Sequence, residues 1–237
     1  MITLYGHPLV PYTEKVRRAL IYKGLDFAFR EPTEVADYRG WSPKTGLLPA
    51  VDFDGENVSD STDILYALDE RYPDPPLLSS DTIVAGQQRQ LEDWADESFI
   101  WYYMKYRRIA DLGPLVLTPR SEDASVPEES VTDGRNRAGV LQRMLAWLRA
   151  GGTWERPLTG LLRELGDRLD DLMNFLGSRP FYYSDQLSMA DLCVYAMLFT
   201  MRNDSIPGAG ELVETRPTLV AFMDRVEQAT GGATPQR

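Results

Sequence analysis

The chain has 237 residues, 43% of them hydrophobic and 26% charged, the balance of a globular protein with room for one large or two modest cores. Its 36 acidic and 25 basic residues give a formal net charge of -11. That argues against nucleic acid or an anionic membrane as partner, because phosphate binding draws on clustered Lys and Arg. A single cysteine, Cys193, excludes an intrachain disulfide, and a single histidine, His7, excludes a His-rich metal centre and weakens any serine–histidine triad, so no metal ligands are assigned. The N-terminus lacks a basic region followed by an apolar core, and no run of about 18 apolar residues occurs, so a cytoplasmic protein is expected.

Residues 2–5 (I-T-L-Y) suit a short buried strand. Pro11 fits the first turn of a following helix, where its missing N–H costs nothing. Val16, Ala19, Leu20 and the stem of Lys23 then form an inward stripe ending at Gly24, a natural C-cap. Residues 25–30 alternate like a strand, so the chain opens β-α-β, a unit that favours parallel pairing. After a polar stretch at 31–47, residues 50–53 and 56–59 flank Asp54-Gly55, a strong hairpin signal. The tail S-D-S-T-D-I-L-Y-A-L-D-E-R-Y starts a helix with capping residues. The order to residue 72 is β-α-β-(α)-β-β-α.

Y-P-D-P-P at 72–76 is a stiff linker and marks the expected boundary. It separates a domain at 1–76 (linker about 72–81) from a second at 82–237, in which no strand is evident. Helical patterns cover 82–110, 135–150, 157–177, 188–202 and 216–229, with Gly151-Gly152 as a break. Residues 111–133, rich in Pro, Ser and acids, read as a mobile excursion, and the last residues, 231–237, as frayed.

Four stretches in this order carry a family resemblance: L-Y-G-H-P-L-V-P-Y-T-E-K-V-R, W-S-P-K-T-G-L-L-P-A-V, S-D-S-T-D-I-L-Y-A-L-D-E-R-Y and L-S-M-A-D-L. Together they resemble the glutathione transferase superfamily over nearly the whole chain. The resemblance implies a thioredoxin-like β-α-β-α-β-β-α domain followed by a helical-bundle domain, an α/β plus all-α fold. It implies glutathione as co-substrate, a small apolar electrophile as second substrate, and a homodimer. It further implies that Pro49 is cis and that the backbone of Leu48 holds the tripeptide. Ser61 would take the γ-glutamyl carboxylate and Asp60 its ammonium, while Lys44 would pair with the glycyl carboxylate; a plain helix cap at Ser61 and a solvated Lys44 are the bland readings. Ser188 and Asp191 in L-S-M-A-D-L form a capping box that serves stability. Cys193 lies in an apolar helix face and reads as a buried structural thiol.

Where thiol-redox folds carry C-P-Y-C between strand and helix, this chain has Val10-Pro11-Tyr12-Thr13. The missing cysteines argue against disulfide exchange by the protein itself, yet leave chemistry on a ligand's thiol open. A thiol with pKa about 8.5 needs about 2.7 kcal/mol of preference for its anion to fall two units. A helix N-terminus supplies typically about 0.3–1 kcal/mol, and a hydrogen bond to a charged group about 1.5–3, so a specific donor is required. Thr13 and Tyr12 rank level as that donor and Tyr5, at the end of the first strand, ranks third; the alternatives are a helix cap, interface packing and core. Phe99, Tyr102, Tyr103 and Tyr106 would line the apolar substrate pocket, or else serve as core or dimer surface. Val10, unable to donate, keeps a rival open, a binding or scaffold protein that kept the fold and lost activation. A glutathione-dependent disulfide reductase is a third reading.

Overall fold

A computed structural model describes residues 1–110, 112, 158–203 and 205–231. The 135–150 pattern, the Gly151-Gly152 break, the 111–133 excursion (Leu112 aside) and most of the 231–237 tail lie outside the described residues.

The first half is a four-stranded sheet in the order β2-β1-β3-β4, built from β1 (Ile2–Tyr5), β2 (Phe27–Arg30), β3 (Ala50–Phe53) and β4 (Glu56–Ser59). β1 pairs parallel with β2 and antiparallel with β3, and β3 pairs antiparallel with β4. All four residues of β1 are buried, which explains why this strand reads as an apolar run and not as an alternation. The β3–β4 turn places Asp54 at φ 54° and Gly55 at φ 99°, the doubly left-handed geometry that Asp-Gly favours.

Helices α1 (Pro11–Tyr22), α2 (Val35–Trp41) and α3 (Ser61–Arg71) complete this half. After residues 72–81 come α4 (Thr82–Ile109), α5 (Leu158–Leu176), α6 (Met189–Arg202), α7 (Ala209–Glu214) and α8 (Pro217–Ala229). The connection is anchored, not free: the Leu77 N–H donates to Asp69, the Leu77 carbonyl accepts from the Met189 N–H, and the side chain is buried. Helix α7, which patterning does not reveal, is six residues opened by Gly208 at φ 85°, too short to show a helical period. No helix among the described residues is long and apolar enough to cross a membrane.

Helix α1 has covered surface on both sides. Val16, Ala19 and Leu20 join the core with Leu4, Val51 and Leu65, while the opposite side packs on α6. Glu14, Lys15 and Arg18 are consequently buried, each with partners: Arg18 donates to Glu14, to the Thr230 hydroxyl and to the Tyr195 hydroxyl. Lys23, expected to bury only its stem, buries its ammonium too, which donates to Asp69 and to the carbonyls of Tyr72 and Pro75.

Candidate active site

The register Tyr5↔Ala50 brings the end of β1 beside the entry to β3, and so sets the loop into α1 next to the Leu48–Pro49 bend. That bond is cis. No hydrogen bond within the described residues engages the Leu48 N–H or C=O. Lys44 is exposed in the preceding loop.

At the start of α3, Asp60 and not Ser61 is the N-cap. Asp60 sits at φ 80°, an uncommon position for a residue with a Cβ and one that strain-bearing sites favour. Its Oδ1 accepts from the N–H groups of Thr62 (2.9 Å) and Asp63 (3.3 Å). This leaves the Ser61 N–H, together with the Ser61 hydroxyl, at a helix end that attracts anions.

At α1, the Val10 carbonyl accepts from the N–H groups of Thr13 (3.0 Å) and Glu14 (3.1 Å). Pro11 has no N–H, so the Tyr12 N–H is the first helix donor without an intrahelical acceptor. The three hydroxyls proposed from sequence have different surroundings. Tyr5 is buried and stacks on Trp41 at 4.4 Å. The Tyr12 phenol donates to the Asp96 carbonyl on α4 at 3.2 Å, and burial, aided by the Asp96 carboxylate, pushes it well above the usual phenol range. The Thr13 hydroxyl is buried and has no hydrogen-bond partner among the described residues. It lies against Gly6, where any Cβ would come within 2.5 Å of Oγ1. His7, in the same loop, is hydrogen-bonded to the Tyr38 hydroxyl on α2 at 2.7 Å.

Beneath these groups lies a charged cluster that sequence patterning does not reveal. The Lys15 ammonium, 1% exposed, donates to Glu92 Oε1 (2.5 Å), Asp96 Oδ1 (2.9 Å), Ser61 Oγ (3.0 Å) and Thr62 Oγ1 (3.0 Å). Burial alone would depress its pKa, but Asp96 and Glu92 outweigh burial and hold it well above the usual lysine range. Burial raises Asp96 against the pull of Lys15. Glu92, Asp96 and Cys193 lie close enough together to offer a three-ligand cation site. The bonds from Lys15 to both carboxylates already supply a cation there. The signal for this cluster is thin: Glu92 and Asp96 follow directly on the apolar stripe residues Leu91 and Ala95.

The expected aromatic wall divides between two faces of α4. Phe99 lines a narrow crevice with Pro11, Tyr12, Ala196 and Met197, and Tyr103 stacks beyond it. Trp94 and Trp101 lie on the opposite side of the helix, where a hollow of about 560 Å³ is lined also by Tyr102 and, from α5, Asp167 and Arg168.

Comparison with known proteins agrees with this layout. The family description "Glutathione S-transferase, N-terminal domain" matches residues 4–76 and "Glutathione S-transferase, C-terminal domain" residues 161–231, more than half of the chain between them. The chain belongs to the glutathione S-transferase superfamily. It is 26% identical to Protein LigF of Sphingobium sp. over 87% of this chain and 82% of that protein. It is 25% identical to the isoprene-epoxide–glutathione S-transferase of Rhodococcus sp. over 96% of this chain and 98% of the relative. The crystal structure of beta-etherase LigF superposes with a TM-score of 0.64 at 22% identity, covering 95% of this chain and 94% of that one. The rice enzyme GST1, solved in complex with glutathione, gives 0.64 at 20% identity, covering 97% of this chain and 88% of its own. These likenesses establish a thioredoxin-like half joined to a helical half and support a glutathione transferase-type enzyme.

Proposed function

We propose that this transferase binds glutathione across the Leu48–Pro49 bend and the start of α3, and turns its sulfur at the start of α1 against an apolar electrophile. The observation that carries the reading is the Thr13 hydroxyl, buried without a partner among the described residues in the first turn of α1, while the Tyr12 phenol donates to the Asp96 carbonyl and the Tyr5 ring is buried against Trp41. Threonine in a helix divides between two χ1 rotamers, and the hydroxyl would reach the sulfur by turning away from Gly6. A hydroxyl donating to a thiolate, assisted by the helix end and the Tyr12 N–H, supplies the roughly 2.7 kcal/mol that a two-unit fall in thiol pKa requires. Leu48 would hold the tripeptide backbone, Ser61 the γ-glutamyl carboxylate, Asp60 the ammonium through its second oxygen, and Lys44 the glycyl end.

The electrophile would lie along Phe99 and Tyr103. The names of the relatives point to carbon bonded to oxygen, an epoxide in one and an ether in the other. The sulfur forms a bond to carbon, the carbon–oxygen bond breaks, and the oxygen leaves with the electron pair and takes a proton from water. The same reading carries a cytoplasmic homodimer.

Glutathione titrated into the protein, followed by tryptophan fluorescence, reports binding. Ultraviolet absorbance of the bound thiolate reports activation, and loss of a model epoxide or aryl ether reports turnover. Binding without thiolate signal or turnover removes the enzyme and leaves the second reading, a glutathione-binding protein, which the 1% exposure of Thr13 favours.

A further inference from the structure

The buried lysine of α1 is placed to set the direction of a hydrogen bond at the ligand site. Lys15 offers three N–H groups to four oxygens within 3.0 Å. Two of those oxygens belong to carboxylates on α4, Glu92 and Asp96, and two to hydroxyls at the start of α3, Ser61 and Thr62. The hydroxyls differ in what they do with their own protons. Thr62 donates to Glu92 Oε1 at 2.6 Å, so its proton is turned inward. Ser61 accepts from the ammonium and has no acceptor of its own among the described residues.

The geometry points to Lys15 as a positioning residue for the anion end of the tripeptide site: its ammonium takes the inward lone pair of Ser61 and leaves the hydroxyl proton to donate outward to the γ-glutamyl carboxylate. The inference rests on the glutathione reading above. Its physical basis is the charge around Ser61. Asp60 lies on the preceding residue, Glu92 and Asp96 face α3 from α4, and Cys193 approaches Asp96 from α6 at 3.7 Å. Without the lysine, two carboxylates would repel an incoming carboxylate and offer Ser61 an inward acceptor, as Glu92 does for Thr62. With it, the donor is fixed before the ligand arrives, and a cation stands behind it.

The test separates a role in carboxylate binding from a role in folding. Calorimetry would compare glutathione with γ-aminobutyryl-cysteinyl-glycine, identical but for the γ-glutamyl carboxylate, on the wild type and on Lys15→Met. The expected result is a loss of about tenfold or more for glutathione in the variant, and almost none for the analogue, since the bond lost is one to a charged group. An equal loss for both ligands, or none for either, overturns the inference while the glutathione reading stands. A wild type that does not bind glutathione overturns that reading, and this inference with it. Should Lys15→Met fail to fold because it removes the cation paired with buried Glu92, the double variant Lys15→Met, Glu92→Leu removes the pair together, an exchange that buried ion pairs tolerate. The same selective loss is expected of it, and an unselective one is equally fatal.

Discussion

The Tyr12 hydroxyl donates to the backbone carbonyl of Asp96 at 3.2 Å, across 84 residues of chain, and so ties the first turn of α1 to the middle of α4. A phenol held this way serves the joint between the two halves, and the function proposed above gives the donor role to Thr13. Tyr12→Phe is therefore expected to lower stability by about 0.5–1.5 kcal/mol and to leave kcat/KM within about twofold. Thr13→Val is expected to lower kcat/KM at least about tenfold and to raise the pKa of bound glutathione by about one unit or more, read from thiolate absorbance against pH. The opposite ordering of the two variants would transfer the donor role to Tyr12.

Gly6 and Thr13 share one space. A Cβ at residue 6 would lie 2.5 Å from Thr13 Oγ1 and 2.7 Å from Cγ2, so Gly6→Ala must displace the threonine. An overpacking cost of about 1–3 kcal/mol is expected in urea unfolding. In a Thr13→Ala background both of those clashing atoms are absent, and the cost should largely disappear. Additive effects in this double-mutant cycle would show that the two residues do not compete for the space.

Cys193 is 2% exposed on α6, and burial pushes its thiol well above the usual range. A raised pKa means less thiolate at any given pH, and thiolate is the reactive form. The native protein is expected to resist a thiol reagent at pH values near neutrality, and the unfolded chain to release one titratable thiol. Rapid labelling of the native protein would contradict the burial.

Asp191 accepts from the N–H groups of Ser188 (2.8 Å) and Tyr182 (2.7 Å), closing the capping box that L-S-M-A-D-L predicts. Burial lifts its carboxyl to about 7 against those bonds. Its folded pKa exceeds the unfolded value of about 3.9, so the folded chain binds more protons between the two. The contribution is fully present below the lower value and is lost as pH rises through about 7. The unfolding midpoint of the wild type, referred to Asp191→Asn, is expected to fall across that window. A constant difference would contradict the shift.

Elements with a local cause were legible in the sequence. The hairpin is written in Asp54-Gly55 between two short runs, and residues 50–53 and 56–59 are strands. Pro11 opens a helix at its first turn. The family was legible as four motifs in order, and the second of them implied the cis bond seen at Pro49. The cap at the start of α3 shifted by one residue, because Asp60 at φ 80° has its carboxylate turned over the helix end and Ser61 becomes the first helical residue.

Lys15, Glu92 and Asp96 were not legible as a cluster. In the sequence of α1, Glu14, Lys15 and Arg18 resemble a solvated face, because a helix pattern records only which side chains avoid water, and charged ones ordinarily do not. Their burial depends on α4 and α6 covering α1, an arrangement set by residues some 80 to 180 positions away.

The sequence by itself determined the family, the order of elements and the residues at the bend and the helix starts, because turns, caps and periodicity act over a few residues. Only the tertiary structure decided which hydroxyl has a partner and which has none, and which lysine lies buried against Ser61. Those outcomes depend on distances between segments remote in sequence, and a hydrogen bond forms or fails within less than an ångström.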